Sequence, residues 1–111
     1  MYAGKTRGVK EDQLPMEGVK NATIQWLISE KEGAKGFAMR LVTLKKGGVI
    51  PLHVHPQIHE QYILKGRGVL FTKDSEKELE PGDFAFVDSN EAHGMKNMGD
   101  EDFEIICCMN F

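Results

Sequence analysis

Four histidines make up the entire histidine content of this 111-residue chain, and they fall in two clusters. His53, His55 and His59 lie in HVHPQIHE, and His93 lies in EAHGMKN. Residues two apart on a β-strand share a face, so His53 and His55 project side by side. Pro56 bends the chain, which lets His59 return toward them at the start of the next strand. His93 has to arrive from a separate strand, so the fold must close around the group. This is the spacing of a metal site, and imidazole nitrogen suits zinc, copper, iron, nickel and, less strongly, manganese.

The elements that must position these side chains read as strands. No helical period of useful length is present, and twelve glycines and four prolines cut the chain into short alternating runs. That pattern belongs to an all-β sandwich or barrel. Residues 1–20 are polar and read as an arm or edge strand. NATIQWLIS (21–29) is β-branched and aromatic, KEGAKG (31–36) is a turn, and FAMRLVTL (37–44) is a strand closed by Lys45-Lys46-Gly47-Gly48. IPLHVH (50–55) carries the first histidines. EQYIL (60–64) and GVLFTK (68–73) flank Lys65-Gly66-Arg67, which reads as a hairpin turn. DSEKE (74–78) reads as a charged hairpin tip, and Pro81-Gly82-Asp83 as a turn before FAFVD (84–88). In the last strand, Phe103, Ile105, Cys107 and Met109 form a wholly apolar face that belongs inside the barrel. Cys107 then points inward and Cys108 outward.

The clusters resemble the two motifs of the cupins. The first usually runs Gly-x5-His-x-His-x3-Glu-x6-Gly. Here Gly47, His53, His55, His59 and Gly66 occupy those intervals, with His59 standing where the family usually has Glu. The second runs Gly-x5-Pro-x-Gly-x2-His-x3-Asn. Here Gly82, His93 and Asn97 match, while Asp88 and Asn90 replace Pro and Gly. Asn90 suits a turn because Asn tolerates positive φ. The resemblance covers about residues 37–109 and implies a small antiparallel β-barrel of jelly-roll topology over a single domain, 1–111. The chain is similar to small four-histidine cupins, which implies one divalent ion held by His53, His55, His59 and His93. Manganese is the first expectation, with iron, nickel, copper or zinc as alternatives. Four neutral imidazoles leave the ion's full charge in place, which attracts anionic ligands. In an octahedral site two positions would stay open for water, dioxygen, peroxide or substrate.

Bulk properties narrow the partners. A net charge of −3 with dispersed basic residues argues against a nucleic-acid groove. No apolar run is long enough to span a membrane. MYAGKTRGVK lacks an apolar core, so no signal peptide is expected. The adjacent Cys107 and Cys108 read as free thiols of a reducing compartment, which places the chain in the cytoplasm. Exposed strand edges predict a homodimer. Apolar material in the first third (Ile24, Trp26 and Ile28) is a candidate for packing or strand exchange across its two-fold.

Four further residues are candidates for catalysis. Glu60 could accept a histidine N–H or act as a base, although alternation places it on the outer face. Gln61 is better placed to reach the cavity. Arg40 could anchor a substrate carboxylate, although an outward Arg paired at a dimer face is the preferred expectation. Cys107 could border the metal pocket or be a small core residue. Trp26, Phe71, Phe84, Phe86 and Met95 are expected in the core or pocket wall. The function this implies is a metal-dependent enzyme on a small, anionic organic substrate, oxidative in the first reading (a dioxygenase- or peroxide-using oxidoreductase). The alternatives are Lewis-acid isomerase, decarboxylase or lyase chemistry, and a non-catalytic metal-dependent binding module.

Overall fold

A computed structural model describes residues 1–111. The chain forms nine strands: β1 (Asp12–Gln13), β2 (Lys20–Ile28), β3 (Phe37–His53), β4 (His59–Lys65), β5 (Gly68–Phe71), β6 (Glu76–Leu79), β7 (Phe84–Val87), β8 (His93–Asn97) and β9 (Phe103–Asn110). Two 3-10 turns, at Thr6–Gly8 and Glu30–Glu32, are the only helical pieces. All pairings are antiparallel, in the order β6-β5-β8-β3-β9-β4-β7, with β2 and β1 added beside the first half of β3. The result is the nearly closed antiparallel barrel expected of a jelly roll. No helix is long and apolar enough to cross a membrane.

The interior is stacked in rows that run across neighbouring strands. Ala22, Leu44 and Phe103 form the innermost row, and all three are fully buried. Ile24, Val42, Ile105 and Ile63 form the next. Trp26, Arg40, Cys107, Gln61 and Ala85 form the third. Ala38, Met109, His59 and Val87 lie beyond it, at the open end. Polarity therefore rises from a dry base toward a wet mouth. Burying the two apolar rows supplies the driving force that holds the polar ones in place.

Several expectations change here. The runs 37–44 and 50–55 are one strand: β3 continues through Lys45–Gly48, and Gly47 takes φ 76° at the bend. The Lys65-Gly66-Arg67 turn is present, but it makes no hairpin. β4 pairs with β7 and β9, whereas β5 pairs with β6 and β8. Gly66, at φ 79°, turns the chain from β4 to β5, which lie on opposite sides of β3 in the strand order, and a Cβ there would overlap the Asp102 carbonyl. The charged stretch 74–78 belongs mostly to β6, with the tip at residues 72–75. Phe84 and Phe86 lie outside the core, exposed by 80% and 57%, because Ala85 and Val87 take the inward face of β7. Alternation alone cannot say which face of FAFV turns in, and the neighbouring rows decide it. Phe103, Ile105, Cys107 and Met109 do share the inward face of β9.

The arm is tied down. Gln25 donates through Nε2 to the carbonyls of Thr6 and Val9, each at 3.0 Å, and β1 pairs with β2. Asn97, at the end of the second motif, donates to the Leu44 and Glu101 carbonyls at 2.9 and 2.8 Å and accepts from Gly99 N at 2.8 Å. Its part is structural: it pins β8 against β3.

Gly68 has no room for a side chain, because a Cβ there would overlap the ring of the fully buried Phe103. Gly68→Ala should lower unfolding stability by about 1–3 kcal/mol. Gly8→Ala, with open space around it, should change it by less than about 0.5 kcal/mol. Urea melts of both variants check this, and equal midpoints would contradict the packing described.

Candidate metal centre

His53 and His93 stand directly opposite each other on β3 and β8, with ring centroids 4.4 Å apart. His55, two residues beyond His53, sits 5.2 Å from it and 4.8 Å from His93. The segment carrying it is anchored from both sides. Asn90 N donates to the His55 carbonyl at 2.9 Å, and Ile58 N donates to Asn110 Oδ1 at 2.8 Å. Asn90 has φ 62°, the left-handed turn its residue type permits. His59 opens β4, 4.4 Å from the ring of His55 and 5.5 Å from that of His93.

The hydrogen bonds select the tautomers. Nδ1 of His53 lies 2.8 Å from the Pro51 carbonyl, that of His55 2.9 Å from Gln57, and that of His93 2.8 Å from Glu91. A carbonyl only accepts, so each Nδ1 carries the proton and donates it. When neutral, each ring then presents its lone pair on Nε2. One nitrogen from each of the three lies within 4.8 Å of the others, close enough to share one ion. Nε2 of His55 is buried with no partner, as a ligand atom would be before coordination. Tying the distal nitrogen to a carbonyl is how proteins orient metal-binding imidazoles. The donor set therefore fits a divalent transition metal.

His59 is held differently. Arg40 Nη2, which can only donate, lies 3.2 Å from His59 Nε2, and His59 Nδ1 is buried without a partner. Its lone pair meets a guanidinium rather than the other three rings, and it stands outside their close group. Burial, the Arg40 charge and the neighbouring imidazoles push its pKa down to about 3. Burial also lowers those of His55 and His93, against the opposing pull of the carbonyls they bind. These shifts favour the neutral form that an imidazole needs in order to bind a metal.

Behind the histidines lies a cavity of about 350 Å³, walled by Ile24, Val42, Ile50, Met95, Ile105 and Met109 and roofed by Leu14, Pro15 and Met16 of the arm. Trp26 and Met95 line it as expected. Arg40 does not point outward. It is buried, lines the cavity, and donates to Cys107 Sγ at 2.9 Å beneath the Trp26 ring, 5.3 Å from its centroid. The rung Trp26–Arg40–Cys107 forces this, since all three share the inner face. Gln61 lines the cavity, whereas Glu60 is exposed on the outer face. Burial pushes the Cys107 thiol up, with Arg40 only partly opposing, so it is protonated at neutral pH. The two cysteines are free. Sequence reasoning missed the arm residues and Gln57; the apolar triad Leu14-Pro15-Met16 within a polar stretch was the only signal for the former.

The family profile described as the cupin domain matches residues 40–109. An oxalate-binding protein of Thermotoga maritima is 36% identical over 94 residues, which are 82% of this chain and 78% of that protein. An L-ectoine synthase of Teredinibacter turnerae is 27% identical over 82 residues, 72% of this chain and 61% of that protein. Among solved structures, the polyketide cyclase RemF of Streptomyces resistomycificus superposes with a TM-score of 0.93 at 26% identity, covering 99% of this chain and 79% of that one.

Depressed histidine pKa values make stability depend on pH. Between the unfolded value near 6.5 and about 3, an unfolded His59 takes up a proton that the folded one refuses. The metal-free protein should therefore lose stability as pH falls through this window, by at most about 1.4 kcal/mol per pH unit for this group. Above pH 6.5 the term vanishes. His59→Gln should flatten the slope of urea stability between pH 6 and 4, and an unchanged slope would contradict the burial assigned to the ring.

Proposed function

Since this chain belongs to the cupin family, we propose that it is a metal-dependent enzyme converting a small organic molecule inside its barrel. The observation that carries this reading is the convergence of three carbonyl-tethered imidazoles at the mouth of an apolar cavity. His53, His55 and His93 would hold one divalent ion, manganese first among the metals that suit imidazole, with iron, nickel, copper and zinc as the others. His59 would complete the set once its ring gives up the contact to Arg40. A bound ion would act as a Lewis acid toward a substrate oxygen, or as a redox centre if manganese or iron. The chain's own residues orient the substrate, exclude water through the apolar wall, and hold positive charge at Arg40 beside the histidines. Arg40 favours the Lewis-acid reading, because a fixed cation there would stabilise an enolate or carboxylate. A synthase and a cyclase stand among the relatives, and neither name denotes an oxidation. Oxidative turnover is the second reading, favoured by an all-nitrogen donor set that suits manganese or iron. We place the enzyme in the cytoplasm, in keeping with its free thiols.

Elemental analysis should find about one divalent ion per chain. His53→Ala, His55→Ala and His93→Ala should lower occupancy at least tenfold, whereas Glu60→Ala should leave it unchanged. Acid should release the ion below roughly pH 6 as protons compete for the rings. Phenylpyruvate, an enolisable probe, should exchange its α-hydrogens for deuterium faster with the zinc- or manganese-loaded protein under anaerobic conditions, and the gain should vanish in His53→Ala. No exchange, with dioxygen or peroxide consumed only by the manganese or iron form, would establish the oxidative reading instead. Neither activity would leave a binding module.

We further propose a homodimer. β2 is used within its own barrel, with Ile24 buried and Trp26 in the cavity wall. Trp26 and Ile28 nevertheless keep 41% and 36% exposure on β2, and a further uncovered apolar patch lies on the edge strand β7, where Phe84 and Phe86 stand beside Tyr62, Ile106 and Cys108. Such a patch is what a two-fold partner covers. Light scattering should give about twice the 12.5 kDa chain mass, and Phe84→Asp should halve it. A wild-type monomer at micromolar concentration would refute the dimer.

A further inference from the structure

The cavity behind the histidines has a second pole. Trp26, Arg40, Cys107 and Gln61 lie on one row across β2, β3, β9 and β4, all on the inner face. Arg40 is 8% exposed, and no carboxylate neutralises it: it makes none of the ion pairs in the protein, and no Asp or Glu lines the cavity. Its Nη2 meets only weak or neutral acceptors, the Cys107 sulfur at 2.9 Å and His59 Nε2 at 3.2 Å, and its Nε has no partner. Gln61, 7% exposed, is equally unspent. Its Nε2 reaches only the same sulfur at 4.0 Å, and Oε1 has no partner, so either amide orientation leaves one polar atom free.

A buried guanidinium without a counter-ion is expensive, and so is each buried polar atom left unbonded. The fold sustains both on one row, facing the same cavity. A ligand carboxylate would answer the guanidinium, matching the planar fork of an arginine, and would accept from Gln61 in the amide orientation that turns Nε2 toward the cavity. The remaining wall (Ile24, Val42, Ile50, Met95, Ile105 and Met109) offers no second cation. A volume of about 350 Å³ falls in the range of sites that enclose an organic molecule with a body of its own.

Building on the cavity as the substrate site, we propose that it takes an amphipathic monocarboxylate, with the carboxylate on Arg40 beside Gln61 and a hydrocarbon body along the apolar wall. Arg40 is then the specificity-determining residue of the site.

Trp26 is the only tryptophan and lies over Arg40, so its fluorescence reports occupancy directly. The probes are 3-phenylpropionate, its neutral amide, and acetate, which keeps the charge without the body. Each is titrated into the metal-loaded protein and into the full chain after chelator treatment. In both forms the acid should bind at least tenfold more tightly than the amide and than acetate. In the chelated Arg40→Gln variant the preference over the amide should disappear. Equal binding of acid and amide by the chelated wild type overturns the proposal, as does an acid preference that survives in chelated Arg40→Gln. If that variant does not fold, the wild-type comparison of the three probes decides alone. A protein that holds no metal yet binds the acid through Arg40 removes the enzyme reading and keeps this one; a protein that holds metal but treats acid and amide alike does the reverse.

Discussion

Strand β3 runs for 17 residues through the middle of the barrel sheet, so its register sets the depth of almost every side chain in the cavity. Its first half, paired with β2 and β9, places Leu44, Val42, Arg40 and Ala38 on four successive inward rows. Its second half, paired with β8, puts Ile50 opposite Met95 and His53 opposite His93. A slip of one residue would turn the whole inward set to solvent. The bend at Gly47–Gly48 is where the two requirements are reconciled. Gly48 has three atoms within 2.9 Å of where a Cβ would lie, which ties the bend tightly to Asn21, Leu44 and Lys45.

Stability and chemistry are separated along the barrel axis. The dry end is built from Ala22, Leu44, Phe103, Ile24, Ile63 and Ile105, each nearly or fully buried. The polar row above it contains the features that oppose folding: a buried cation and an unpaired amide oxygen. Such features persist only where surrounding packing over-determines them. The apolar rows provide that packing, and the arm held by Gln25 closes the side of the cavity.

Electrostatically the site is one-signed. Burial lowers the pKa values of His55, His59 and His93, with the Arg40 charge adding to it at His55 and His59, and no acidic side chain enters the cavity. Arg40 and His59 are coupled by their shared contact, so a ligand or ion that draws either away alters the other. That coupling links the histidine end of the cavity to its arginine end, a relation that neither cluster of histidines reveals alone.

The histidine spacing and the strand alternation were legible in the chain because both are local. Two residues apart on a strand is a geometric statement, and the inward set of β9 follows from an apolar face read four residues deep. The partnering of strands was not legible. Whether the turn at Gly66 makes a hairpin or a crossover, and whether 37–44 and 50–55 are one strand or two, depends on which distant strand offers a better face. The same holds for single side chains. Phe84, Phe86 and Arg40 alternate correctly, yet alternation fixes only that neighbours oppose each other, not which one is inside. Tertiary packing chose Ala85 over Phe84 and brought Arg40 beneath Trp26, because cross-strand rows must fill a closed volume and not because any local preference favours it. Residue types and intervals thus determined which ligands are available. Only the closed barrel decided that three of the histidines share one tautomer and converge, while the fourth meets an arginine.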